Sequence, residues 1–128
     1  MPLFTDGLSA TIGDLREYET SILDVAYGEG IDLGKKLELA HEEIAAELEA
    51  MLARREANPG GARAGRELAS VVVTRPLKQW HIFHTLALAY RDAYNSHLND
   101  RYQGKWREYQ EVAKGAKRLL VEAGIGLV

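Results

Sequence analysis

Four histidines offer the most specific chemistry in this chain: His41, His81, His84 and His97. Glu38 and His41 form a Glu-x-x-His pair, which is the spacing that di-iron helical bundles use. His81 and His84 are three residues apart and would share one face of a helix. Di-iron sites need a second Glu-x-x-His pair, but no glutamate stands three residues before any of the other histidines.

Packing accounts for two of these histidines without a metal. Trp80 and Phe83 stand beside His81 and His84, so the two imidazoles can be half-buried aromatic rings in a helix interface. Charged helices also match short ligand spacings by chance. We therefore predict no metal and no cofactor, and keep a metal-binding four-helix protein as an alternative. Its candidate ligands are Glu38, His41, His81 and His84.

Other catalytic chemistry has less support. The chain has no cysteine, which excludes disulfides, thiolate metal sites and cysteine nucleophiles. It has no phosphate-binding loop, nucleophile elbow or Ser/His/Asp cluster, since Gly60-Gly61 lacks a preceding strand and a following lysine. The sequence predicts a protein without catalytic residues.

Four segments show the three-and-four spacing of apolar residues that is typical of helices. They cover about 11–27, 32–55, 75–97 and 101–123, with Thr11, Asp32 and either Asn99 or Asp100 as N-caps. The third segment is apolar on more than one side, which indicates a central helix. The fold class predicted is therefore an all-α bundle of four main helices.

The same pattern divides this single helical domain into four parts. An acidic helical hairpin covers 9–57, a flexible Gly-rich loop or arm 57–74, an apolar and basic hairpin 75–123, and an apolar tail 124–128. Within the arm, Val71 to Val73 favours an extended segment, which either packs on the core as a linker or pairs with another chain. The tail either folds back on its own core or docks on a neighbouring copy.

The net charge is −3 over 128 residues, which argues against a strongly basic nucleic-acid-binding protein and predicts no sequence-specific nucleic acid partner. The longest apolar-rich run, residues 86–90, is far too short to span a bilayer, and the first ten residues do not resemble a secretory signal. We expect an intracellular protein with no membrane partner.

Charge is distributed unevenly along the chain. Residues 1–60 carry 5 basic and 13 acidic side chains, whereas residues 61–128 carry 11 and 6. Complementary hairpins can close the bundle from within, or they can form head-to-tail contacts between copies, which produce rings when the rotation closes. Ordinary solvated surface charge remains the third interpretation.

If copies contact one another in this way, we expect the interface residues to come from both hairpins, the loop and the tail: Glu42, Glu43, Glu47, Arg63, Arg66, Lys105, Lys114, Lys117, Arg118, Ile125, Leu127 and Val128. Such contacts should be sensitive to salt. Reversing the charges of Glu42 and Glu43 should weaken assembly more than folding.

Two stretches resemble a known family: DLREYETSILDVAYGEGIDLGKKLELAHEEIAAEL at 14–48 and PLKQWHIFHTLALAYRDAYNSHLNDRYQGKW at 76–106. In organisation the chain resembles the small helical head–tail connector, or adaptor, proteins of tailed bacteriophages and prophages. The resemblance implies a non-enzymatic homo-oligomeric ring, commonly of twelve copies, that joins the portal protein to the tail or stopper protein.

The same resemblance implies a location in the virion neck, after synthesis in the bacterial host cytoplasm. It makes the loop at 57–66 and the C-terminal tail the expected arms that reach neighbours, and it supplies no catalytic residues. A small regulatory binding protein is a further alternative to this interpretation.

Overall fold

The computed structural model of the chain describes residues 2–56 and 67–128. Within those ranges it contains five α-helices and no named strand, so the predicted all-α class is confirmed. The helices are α1 (Ile12–Tyr18), α2 (Ile22–Glu29), α3 (Leu33–Glu56), α4 (Arg75–His97) and α5 (Asp100–Ala123). Two short 3₁₀ turns, Phe4–Asp6 and Leu68–Ser70, precede α1 and α4.

The segment predicted as one helix at 11–27 is divided into α1 and α2. Glu19 ends α1 in an extended conformation, with φ −140° and ψ 93°. Its carboxylate accepts hydrogen bonds from Tyr109 and Ser21 and pairs with Lys105. These contacts replace the continuation of the helix through Thr20 and Ser21, which are weak helix formers.

The N-caps agree with the sequence prediction. Thr11 and Asp14 form a capping box at the start of α1. Asp32 accepts from the backbone of Lys35 at 3.2 Å, and Asn99 accepts from the backbone of Arg101 at 2.9 Å. These polar side chains satisfy N–H groups that the first helical turn leaves free.

Helix α4 is the centre of the bundle, as its apolar circumference predicts. On one side it meets α3, where His81 Nε2 reaches the Leu37 carbonyl at 2.9 Å. On another it stacks on α5, with the Tyr90 and Tyr109 rings 5.9 Å apart. Contacts of α4 with α3 run from Asp92–Lys36 to His84–Glu43, so these two helices are antiparallel. Ring contacts of α4 with α5 run from Tyr94–Trp106 to Phe83–Tyr109, so these two are antiparallel as well. Helices α3 and α5 therefore run in the same direction.

Three extended segments meet at the end of the bundle where α4 begins. Phe4 N donates to the Val71 carbonyl at 2.8 Å, and Val73 N donates to Pro2 at 3.0 Å. On the other side, Val72 N donates to Gly126 at 2.8 Å. We call this arrangement of residues 2–4, 71–73 and 126–128 the terminal junction. Val71 to Val73 therefore pairs within its own chain.

Candidate assembly surface and the charged groups that shape it

Three of the histidines lie along the contact between α3 and α4, and each has its own partner. His41 Nε2 donates to the Phe4 carbonyl at 3.0 Å, and His81 Nε2 donates to Leu37. His84 Nε2 donates to the carboxylate of Glu43 at 2.9 Å. The imidazoles are thus used to join helices and the N-terminal segment.

The candidate metal ligands do not form a metal site. Glu38 is exposed, and His84 is bound to Glu43. Across residues 2–56 and 67–128, no group of three or more His, Asp or Glu side chains is placed to hold a metal ion. The packing interpretation of His81 fits its contacts: its ring is fully buried, 5.6 Å from the ring of His41.

Burial also changes the proton affinity of His81. It lowers the pKa of His81 from 6.5 to about 4, against the opposing effect of the hydrogen bond to Leu37, and the neighbouring histidines act in the same direction as burial. Because a carbonyl can only accept, Nε2 carries the hydrogen and Nδ1 carries a lone pair. That Nδ1 is buried and has no partner among the described residues.

A partly buried carboxylate that no sequence pattern points to lies where α1 meets α5. Glu19 accepts from Tyr109 at 2.8 Å and pairs with Lys105 at 3.0 Å. Burial alone raises the pKa of Glu19, but the hydrogen bonds from Lys105, Tyr109 and Ser21 outweigh it and hold the pKa below its usual value. Burial and the Glu19 charge raise the pKa of Tyr109. Nothing in the local sequence distinguishes Glu19 from the exposed Glu17.

Several predicted interface residues are used inside the molecule. Lys117 Nζ donates to Glu47 and lies 5.8 Å from the centre of the Trp80 ring. Lys105 binds Glu19, and Glu43 binds His84. The acidic and basic hairpins therefore do close the bundle in part.

Other predicted interface residues remain on the outside. Glu42 and Arg118 are exposed, and they make no hydrogen bond or ion pair with another described residue. Lys114 makes only an exposed pair with Glu111 of its own helix, at 3.4 Å. Arg63 and Arg66 lie outside the described residues. The residues used inside and those left outside belong to different faces of α3 and α5.

On α3 the free acids form one row. Glu38, Glu42 and Glu49 follow the i, i+4, i+11 spacing of a single helix face, and all three are exposed. We call them the acidic stripe. Glu47, which binds Lys117 of α5, is nine residues from Glu38, or two and a half turns, and therefore lies on the opposite side of α3. The acidic stripe thus faces away from the side of α3 on which Glu47 binds α5.

On α5 the exposed cations also form a row. Arg107, Lys114 and Arg118 follow an i, i+7, i+11 spacing and are all exposed. We call them the basic stripe. Angular spacing along the helices could have identified Glu49 and Arg107 from sequence, whereas counting charges per hairpin did not.

The apolar tail is divided between core and solvent. Ile125 and Leu127 are partly buried and pack against the core. Val128 donates from its backbone to Ser70 at 3.0 Å, but its side chain is 72% exposed. The alternative in which the tail folds back therefore describes Ile125 and Leu127.

One open cleft of about 550 Å³ lies on the described surface where α2 turns into α3. Its lining includes Lys36 and Asp92, which form an ion pair. None of the described helices has both the length and the apolar character that a membrane-spanning segment needs.

Comparison with known proteins gives no family. No protein-family model, curated protein or solved structure matches the chain.

Proposed function

We propose that this chain is a structural assembly protein, a head–tail connector or adaptor of a tailed-phage virion. In this proposal, copies form a homo-oligomeric ring that joins the portal protein to the tail or stopper protein in the neck. The chain performs no catalysis there. Its role is to present complementary surfaces to neighbouring copies and to the two partners.

One observation carries the proposal. The acidic stripe on α3 and the basic stripe on α5 are exposed, and they lie on faces that a single copy cannot bring together. Two different complementary patches on one molecule favour heterologous contacts, in which each copy uses one patch for each neighbour. Such contacts form a ring when the rotation between copies closes.

The organisation of the chain gives independent support. The stretches at 14–48 and 76–106, which resemble connector proteins, correspond to α1 through most of α3 and to α4 with the start of α5. From the resemblance we take twelve copies as the expected number, and the portal and tail or stopper proteins as partners.

The experiment is a search for the chain in the particle that it would build. Virions from the phage or induced prophage that encodes this chain would be purified, and their neck fraction analysed by mass spectrometry and electron microscopy. We expect the chain in multiple copies at the junction of portal and tail. Its absence from virions, together with a strict monomer at high concentration in the presence of portal protein, would overturn the proposal.

A further inference from the structure

We propose that the basic stripe of one copy docks on the acidic stripe of a second copy, with the two copies side by side, in the same orientation and at the same height. The pairs are Arg107 with Glu38, Lys114 with Glu42, and Arg118 with Glu49. This inference rests on the proposed function in one respect, because a closed ring requires neighbouring copies at one height.

The register comes from a contact inside the molecule. Lys117 binds Glu47, which is 70 positions earlier in the chain, and α3 and α5 are parallel. A residue of α3 therefore lies at the same height as the α5 residue about 70 positions later. This relation also holds between copies that are related by rotation without a shift along the helices.

The two stripes satisfy this relation at all three positions. The sequence separation of each proposed acid–base pair is within two positions of the separation between Glu47 and Lys117. At about 1.5 Å of rise per residue, two positions displace the partners by about 3 Å. Lysine, arginine and glutamate side chains reach across that displacement, so level copies place every acid of one stripe beside a base of the other.

The surface between the charges suits close approach. On α5, Val121 lies on the same flank as the basic stripe and is 55% exposed. The corresponding part of α3 presents the exposed small side chain of Ala53. An exposed valine that faces an alanine of the neighbouring copy gains burial there, whereas in the single copy it faces solvent.

Charge pairs of this kind determine the register of the contact between copies, and the choice of partner surface, more than they determine its affinity. Exposed ion pairs contribute little individually, and salt weakens them. Like charges placed together cost far more, which excludes contacts of acidic stripe with acidic stripe or of basic with basic. The arrangement thus admits only the head-to-tail order.

The test uses two full-length variants with reversed stripes. One carries Glu38→Lys, Glu42→Lys and Glu49→Lys, and the other carries Arg107→Glu, Lys114→Glu and Arg118→Glu. Sedimentation velocity at low salt and high concentration, with portal protein present where the wild type needs it, measures assembly. We expect each variant alone to lose at least tenfold in affinity between copies, and an equimolar mixture to recover it, because the reversed stripes complement each other.

A matched control separates the stripe from net charge. The triple variant Glu17→Lys, Glu67→Lys and Glu108→Lys changes the net charge by the same amount and sign as the acidic-stripe reversal, at exposed positions outside the stripes. We expect it to assemble within about twofold of the wild type at equal ionic strength. Circular dichroism and thermal unfolding of all variants verify that their helices are intact.

Cross-linking locates the contact directly. Copies labelled with ¹⁵N are mixed with unlabelled copies and treated with a carbodiimide, and peptides that join the two isotopes are identified. We expect Glu42–Lys114 links between copies, in addition to any links inside one copy between Lys114 and Glu111.

The outcomes distinguish this inference from the proposed function. The docking would be overturned if the wild type forms rings, both stripe-reversed variants still assemble, and no Glu42–Lys114 link forms between copies. The connector proposal would then still stand. A wild-type chain that is absent from virions but still assembles through the stripes would overturn the connector proposal alone. Failure of the variant mixture to recover assembly would overturn the paired register.

Discussion

His81 is a neutral imidazole in a buried position, where a positive charge is unfavourable. Its Nε2 is committed to the Leu37 carbonyl, and its buried Nδ1 has no partner among the described residues. Protonation would put a positive charge into the contact between α3 and α4, next to the rings of His41 and His84. The folded state therefore resists protonation that the unfolded chain accepts.

This difference makes stability depend on pH. The pKa of His81 falls from 6.5 to about 4 on folding, so between these values the unfolded chain binds a proton that the folded chain does not. Above pH 6.5 neither the folded nor the unfolded chain holds this proton, and His81 does not reduce stability. As the pH falls to about 4, protonation of His81 in the unfolded chain lowers the unfolding free energy by about 3 kcal/mol. Urea unfolding at a series of pH values measures this slope.

His81→Phe is the control, since it keeps an aromatic ring but cannot titrate. Its overall stability will differ from the wild type because the bond to Leu37 is lost. What matters is the slope of unfolding free energy between pH 6.5 and 4, which should become flatter. An unchanged slope would assign the acid sensitivity to other groups.

A second prediction concerns the partly buried carboxylate of Glu19. Glu19→Gln removes the charge that Lys105 and the Tyr109 hydroxyl recognise, and should lower the unfolding free energy by about 1–3 kcal/mol. Glu17→Gln, two residues earlier and exposed, should change it by less than about 0.5 kcal/mol. Chemical denaturation at pH 7 compares them, and equal effects would contradict the role of Glu19.

For single residues, the sequence predicts which side chains pack in a helix interface better than it predicts which distant residues they contact. Packing of the histidines beside Trp80 and Phe83 is inferred from their neighbours in a helix, since those neighbours are fixed by local spacing. Glu19 depends on Tyr109, which is 90 positions away. Contacts of that range come from tertiary packing, so periodicity alone does not reveal them.

Among the elements, α5 carries two glycines that the fold does not require. A Cβ added at Gly104 or Gly115 would meet no atom within 4 Å. Glycine inside a helix costs about 0.5–1 kcal/mol relative to alanine. Gly115→Ala should therefore stabilise the protein by about that amount, measured as a rise in the melting temperature.

Gly30→Ala is the opposite case. Gly30 ends α2 with φ +67°, in the left-handed region, where a Cβ costs about 1–2 kcal/mol. We expect this substitution to lower the melting temperature although it also has open space around the added Cβ. If both alanine variants moved the melting temperature in the same direction, backbone conformation would not be the cause.

Helices and caps could be predicted from sequence because their signals are local. Apolar spacing and the capping residues Thr11, Asp32 and Asn99 gave the positions of the main helices. The division at Glu19 could not be predicted, since Ile12 to Ala26 keeps helical spacing across the interruption. A tertiary contact there overrides a continuous local pattern.

In the whole molecule, the terminal junction links the first, middle and last parts of the chain. Deleting residues 126–128 removes the bonds from Val72 N to Gly126 and from Val128 N to Ser70, and uncovers the buried Val71. We expect a loss of about 1–3 kcal/mol in unfolding free energy. Thermal and urea unfolding of the truncated chain measure it.

Val128→Ala tests whether the backbone matters more than the terminal side chain. That side chain is mostly exposed, so the substitution should cost less than about 0.5 kcal/mol. A cost equal to that of the deletion would mean that the valine side chain, and not the pairing of the backbone, stabilises the junction.

For the whole molecule, the distribution of charge could be predicted from the sequence only in outline. The sequence shows an acidic first half and a basic second half, but it does not show which charges meet. The structure pairs Glu47 with Lys117 and Glu43 with His84, and leaves the two stripes exposed. Head-to-tail docking of the stripes remains a proposal for experiment.

The terminal junction also sets an order of events during folding. Its three segments are more than fifty positions apart along the chain, so each pairing must close a long loop before it forms. The helical hairpin of α4 and α5 contains mostly local contacts and can form earlier in folding. A folding chain would therefore hold the helical hairpin while the backbone of Val71 to Val73 is still unpaired, and the terminal junction would form last.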